Sequence, residues 1–110
     1  MIWVGTSLDD VRAFPADVRR SVGQQLRCVQ LGLMPGDWKA MRTIGRGVYE
    51  LRVRMHFDSR VFYIAKFGEA VYVLHAFQKQ GAKTNRSDIE LARARLQRVK
   101  LTRKANGHSR

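Results

Sequence analysis

Val48-Tyr49-Glu50-Leu51-Arg52-Val53-Arg54-Met55, followed by Arg60-Val61-Phe62-Tyr63-Ile64-Ala65-Lys66-Phe67 and Ala70-Val71-Tyr72-Val73-Leu74-His75-Ala76-Phe77-Gln78, is the stretch that decides the fold. In the first segment the two-residue period of a strand places Leu51, Val53 and Met55 on one face and Glu50, Arg52 and Arg54 on the other. The middle segment is apolar on both faces, as a central strand requires. Short polar breaks at Asp58-Ser59 and Gly68-Glu69 predict tight turns, so the three strands run antiparallel.

The charge lies with this sheet and with the C-terminal segment after it. Residues 1–40 carry 5 basic and 4 acidic side chains, whereas residues 41–110 carry 16 and 5, so nearly all of the net charge of +12 belongs to the second part. A localised excess of this size favours a polyanionic partner, nucleic acid first, over an inert solvated surface.

Upstream, Met1 to Val4 has the composition of a short strand ended by Gly5. Ser7 is placed to cap a first helix through Phe14, and Pro15 to open a second. In that second helix Val18, Val22, Leu26, Val29 and Leu33 recur at spacings of three and four, with Arg19, Arg20, Gln24 and Arg27 opposite. Glycines and Pro35 punctuate Leu33 to Gly47, which predicts a long loop pinned by Trp38 and Met41. Downstream, a last helix is predicted to begin near Thr84 or Ser87, where Ser87-Asp88-Ile89-Glu90 has the form of a capping box, with Ile89, Ala92, Leu96 and Val99 on its apolar stripe. Residues from Thr102 onward predict a frayed basic tail, and the domain proper spans residues 1–100, with 101–110 as that tail. The predicted class is α+β: an antiparallel sheet of about four strands, with two N-terminal helices and a C-terminal helix on one face.

Cys28 is the single cysteine and lies within an amphipathic pattern, which favours a buried, inert thiol. No apolar run approaches the roughly 20 residues of a membrane span, and the start lacks the pattern of a signal peptide, so cytoplasmic residence is expected. No His, Cys and carboxylate set has metal-ligand spacing and no Gly-rich phosphate loop comes after a strand, so neither a metal nor a cofactor is expected.

The order strand, two helices, antiparallel strands, helix resembles the RelE/HigB/ParE superfamily of bacterial toxins, and within it the phage-derived HigB-like branch. The resemblance is carried by Glu50-Leu51-Arg52, Arg60-Val61-Phe62-Tyr63, Val73 to Lys79, Lys83-Thr84, and Ile89-Glu90-Leu91-Ala92 with Arg95. Two positions depart from the branch pattern: Gln80 replaces a usual second lysine, and Asn85 a usual proline. The resemblance implies an mRNA interferase that cleaves translated mRNA on the ribosome without metal, through attack of a ribose 2′-hydroxyl on the adjacent phosphate. It also implies a small antitoxin, of helix-turn-helix type and encoded adjacently. Two other functions share the fold or the charge: a ParE-like inhibitor of DNA gyrase, and a nucleic-acid-binding regulator that does not cleave.

Such a cleavage needs cations around a crowded oxyanion and a group that moves a proton. Arg52, Arg54 and Lys79 are the catalytic candidates for the first role and His56 for the second; the bland reading of the arginines is a solvated face paired with residues such as Glu69. Arg60, Phe77, Lys83, Arg86 and Arg95 are candidates for RNA binding, Phe77 through stacking on an unpaired base. Tyr63 has the opposite strand parity to Arg60 and is read as core, His75 as a hydrogen-bonded structural histidine, and His108 as idle in the tail.

Overall fold

The three central strands form as their alternation requires, and they recruit two more. In the computed structural model, which describes residues 1–107, the elements are β1 (Ile2–Trp3), α1 (Ser7–Arg12), α2 (Ala16–Gln30), β2 (Trp38–Ala40), β3 (Val48–Met55), β4 (Phe57–Ile64), β5 (Tyr72–Gln78) and α3 (Arg86–Ala105). The sheet has the order β1-β5-β4-β3-β2, with β1 parallel to β5 and every other pair antiparallel. This is the α+β arrangement the resemblance implied, extended to a five-stranded mixed sheet.

The helices cover both faces, not one. Val18, Val22, Leu26 and Val29 of α2 pack on Leu51, Val53, Val61 and Tyr63. Ala92, Leu96 and Val99 of α3 pack on Val48, Phe62, Ile64 and Leu74, the residues of opposite parity. A central strand that is apolar on both faces needs cover on both, and α3 supplies the second. The Cβ that any side chain would place at Gly45 falls far inside contact distance of a methyl of Leu96, so a glycine there lets α3 approach.

Four local expectations are corrected. The β3–β4 turn is at His56, which takes φ +60, and Phe57 to Ser59 are strand, with Arg54 opposite Asp58. The predicted loop contains the edge strand β2, and Leu33 lies beyond the end of α2 and is exposed. Ser7 does not cap α1 but is buried, its hydroxyl donating to the Val73 carbonyl; α3 starts where expected, between Thr84 and Ser87, but with Asn85 at its N-cap and Ser87 inside the helix. The predicted frayed tail is helical through Ala105, because Arg103 is buried over the Phe67 ring and donates to Glu69. His108 lies outside the described residues. No helix among the described residues is long and apolar enough to cross a membrane.

Candidate nucleic-acid interface

The sheet face beneath α3 is apolar at one end and charged at the other, because α3 covers only part of it. Beyond its start, β3 and β4 bring Glu50 opposite Phe62, Arg52 opposite Arg60 and Arg54 opposite Asp58. A cavity of about 310 Å³ opens there, walled by Lys39 of β2, Glu50 and Arg52 of β3, Arg60 of β4, and Lys79, Lys83 and Thr84 from the segment between β5 and α3. Five cations thus face one carboxylate.

That carboxylate organises the site. The side chain of Glu50 is only 1% exposed, and its Oε1 accepts from Arg60 Nη1 at 2.6 Å and Arg52 Nε at 2.9 Å. Its Oε2 is buried and has no hydrogen-bond partner. Arg60, equally enclosed, also donates through Nε and Nη2 to the two oxygens of Asp58, a bidentate grip that holds the Asp58 carboxyl below its ordinary range. Asp37, just before β2, stands 3.9 Å from Arg52 Nη1 and 3.7 Å from Arg54 Nε, so Asp37, and not Glu69, is the surface partner of these arginines. Lys79 is fixed at the end of β5 by its amide, which donates to the Asp58 carbonyl.

A second, open cleft of about 520 Å³ adjoins the first, lined by Arg54, His56, Phe57, Asp58, Arg60 and Lys79. A hollow of about 570 Å³ at the β2–β3 connection is larger, but its lining of Ala40, Arg42, Arg46, Gly47, Val48 and Tyr49 includes no carboxylate, histidine or lysine. Size and chemistry disagree here, and the two smaller cavities are the ones that gather carboxylate, histidine and lysine side chains.

The sequence-predicted residues divide accordingly. Arg52, Arg60, Lys79 and Lys83 meet in the deep cavity, while Arg54 and His56 line the cleft. His56 Nε2 shares a hydrogen bond with Asp17 of α2, which lowers the carboxyl of Asp17 below its ordinary value. Arg86 is almost wholly solvated and paired with Glu90 one turn on. Phe77 is half-buried: it packs 5.1 Å from Phe62, stacks on His75 and lies against the core under α3. His75 is buried, with Nε2 2.7 Å from Asp88.

Arg95 is a correction: it is buried and donates to the Leu74 carbonyl and Thr6 hydroxyl, which joins α3 to β5 and the start of α1 and removes it from any RNA surface. Tyr63 is core, as its parity predicted, and burial pushes its phenol up to about 12. Two site residues escaped the sequence reading. Glu50 shares the parity of Arg52 but nothing local marks it as buried, and Lys39 lies on a strand too short to leave a pattern. No group of three or more His, Cys, Asp or Glu among the described residues is placed to hold a metal ion.

Comparison with known families adds one result: the family model described as Phage derived protein Gp49-like (DUF891) matches residues 9–97. No curated protein matches the chain significantly.

Proposed function

The chain belongs to the Gp49-like phage-derived family, a RelE-like toxin family, and from that premise we propose that it is the toxin of a type II toxin–antitoxin pair, an endoribonuclease of the HigB kind that cuts translated mRNA on the ribosome. The observation that carries this reading is Glu50, the one carboxylate of a cavity that also gathers Lys39, Arg52, Arg60, Lys79 and Lys83, whose buried Oε2 has no hydrogen-bond partner. A ribose 2′-hydroxyl is a donor that would satisfy it, and the hydroxyl proton is the one the reaction must remove. The 2′-oxygen then attacks the neighbouring phosphorus, the bond to the 5′-oxygen breaks as that oxygen takes a proton from the Lys79 ammonium, and a 2′,3′-cyclic phosphate and a 5′-hydroxyl result.

In this scheme Arg52 and Lys83 hold the phosphate and stabilise its extra charge, and Lys79, at the rim shared by cavity and cleft, faces the leaving oxygen. Arg60 touches no substrate: it orients Glu50 and balances its charge. His56 stands outside the deep cavity, bound to Asp17, so Glu50 replaces it as the proton acceptor. Gln80 is exposed and does not line the cavity, so the missing lysine subtracts little. Arg54, Lys79 and the basic side of α3 are a dock for an acidic antitoxin segment, which would silence the protein by covering the same cations.

The test is a translating extract containing excess chelator, with mapping of mRNA ends. Fragments with cyclic phosphate and 5′-hydroxyl ends are the expected product, and Glu50→Gln is expected to slow their formation by about 10²-fold or more. Intact mRNA with inhibited DNA supercoiling would overturn the reading in favour of a gyrase poison.

A further inference from the structure

Two consecutive residues of β5 serve the same side of the sheet. Phe62 pairs with His75 and Tyr63 with Val73, so the register slips at Leu74, which is left without an opposite number. Leu74 packs with Leu96 under α3, and His75, next in sequence, reaches the same helix at Asp88. A bulge of this kind re-aims a side chain that strict alternation would send to the other face. What it re-aims here is an imidazole.

That imidazole is closely held. It is buried, stacks on Phe77 with ring centres 5.1 Å apart and planes 17° off parallel, and lies 6.3 Å from Phe62. Its Nδ1 is buried without a partner, so the 2.7 Å bond between Nε2 and Asp88 Oδ1 is its one hydrogen bond among the described residues. A carboxylate only accepts, so Nε2 is the donor. Asp88 lies in the first turn of α3, and the bond therefore pins the start of that helix to the sheet.

His75 lines neither cavity, but the chain leading up to the pin does. Lys79, Ala82, Lys83, Thr84 and Ile89 all wall the deep cavity. Lys79 is fixed by its amide on the Asp58 carbonyl, whereas residues 80–84 make no hydrogen bond among the described residues, and Gly81 takes φ +83. The strap between β5 and α3 is thus set by its two ends. At the far end the polar tie is His75–Asp88, beside the packing of Ile89.

We infer that His75 is a positioning residue: through Asp88 it fixes the start of α3, and with it the strap that holds Lys83 in the wall of the deep cavity. The inference rests on the RNA-cleaving reading above, in which Lys83 holds the phosphate. His75 touches no substrate, so its loss costs rate only as far as Lys83 is displaced.

The test pairs two measurements on the intact protein: single-turnover cutting of mRNA in a translating extract, with the protein titrated to saturation, and hydrogen exchange of residues 79–89. His75→Leu and Asp88→Ala remove the tie from opposite sides, so one remains informative if the other folds poorly. Both are expected to lower the saturating rate about tenfold, to leave the half-saturating concentration nearly unchanged, and to speed exchange at the Asp88 and Ile89 amides. His75→Gln, which keeps an N–H near the ε position, should recover most of the rate. In a Lys83→Ala background neither change should slow cutting further, whereas a merely structural loss would lower the rate there by the same factor. That additive result, or undiminished cutting with faster exchange, would overturn the positioning role and leave the cleavage reading standing. A wild type that cuts no RNA would overturn both, and unaltered exchange in both variants would show that the tie does not hold the strap.

Discussion

Arg54 and Arg60 lie on one face of one hairpin, yet their surroundings give them different work. Arg60 is 4% exposed and bonded to two carboxylates, so removing it leaves the buried Glu50 charge with Arg52 alone as its partner. Breaking such a buried pair costs several kcal/mol, whereas an exposed ion pair contributes about 0–1. Arg60→Ala is therefore expected to lose about 3 kcal/mol in urea unfolding, and Arg54→Ala, 58% exposed, no more than about 0.5. Equal losses would show that Arg60 is not the structural partner of Glu50. The strand period did place Glu50, Arg52 and Arg54 together. It carried no information on depth, because β2 and the segment between β5 and α3, which wall the cavity at Glu50 and leave Arg54 open, come from other parts of the chain.

At the scale of elements, the joint between α3, β5 and the start of α1 depends on a close approach. Gly5 has φ +58, and a Cβ there would fall 2.6 Å from Arg95 Nε, the guanidinium that bonds Leu74 and Thr6. Gly5→Ala meets both backbone strain and this clash, so it is expected to destabilise by about 1–3 kcal/mol. Since it expels the same guanidinium that Arg95→Ala deletes, the double variant should lose clearly less than the sum. Strict additivity in thermal or urea unfolding would show the two residues to be independent.

The end of α3 is held differently. The hydrogen bond from Arg103 keeps the Glu69 carboxyl at about 2, below its ordinary value of 4.5. A carboxyl depressed in the folded state contributes stability that is present above its unfolded value and lost as pH falls toward the folded one. Stability should thus decline between about pH 4.5 and 2, and less steeply in Glu69→Gln; an unchanged slope would remove Glu69 from the acid response. These joints explain what sequence patterns concealed. Asp58-Ser59 has turn composition but pairs with Arg54 and Val53, and β2 has three exposed residues and no alternation to find. The basic composition after Thr102 hid the one arginine that folds back onto Phe67 and Glu69.

For the molecule as a whole, the two layers of helix leave one end of the sheet uncovered, and Lys39, Arg52, Arg54, Arg60, Lys79 and Lys83 line the two cavities there. Such a field draws RNA or an acidic protein to the same place, which makes salt-sensitive association the expected behaviour with either. The three central antiparallel strands and the cationic hairpin were readable from alternation and charge. The burial of Glu50 and the exposure of Phe57 were not, since each depends on what the rest of the chain covers or leaves bare.

The central claim is that this uncovered end cleaves RNA, and the most direct measurement is transcriptome-wide mapping of 5′-hydroxyl ends after brief induction of wild type, Glu50→Gln and Lys79→Ala in living cells. The account predicts abundant new ends within translated regions for the wild type, a loss of about 10²-fold or more for both variants at equal soluble yield, and unchanged plasmid supercoiling. Growth arrest without new RNA ends, or ends undiminished in both variants, would contradict it.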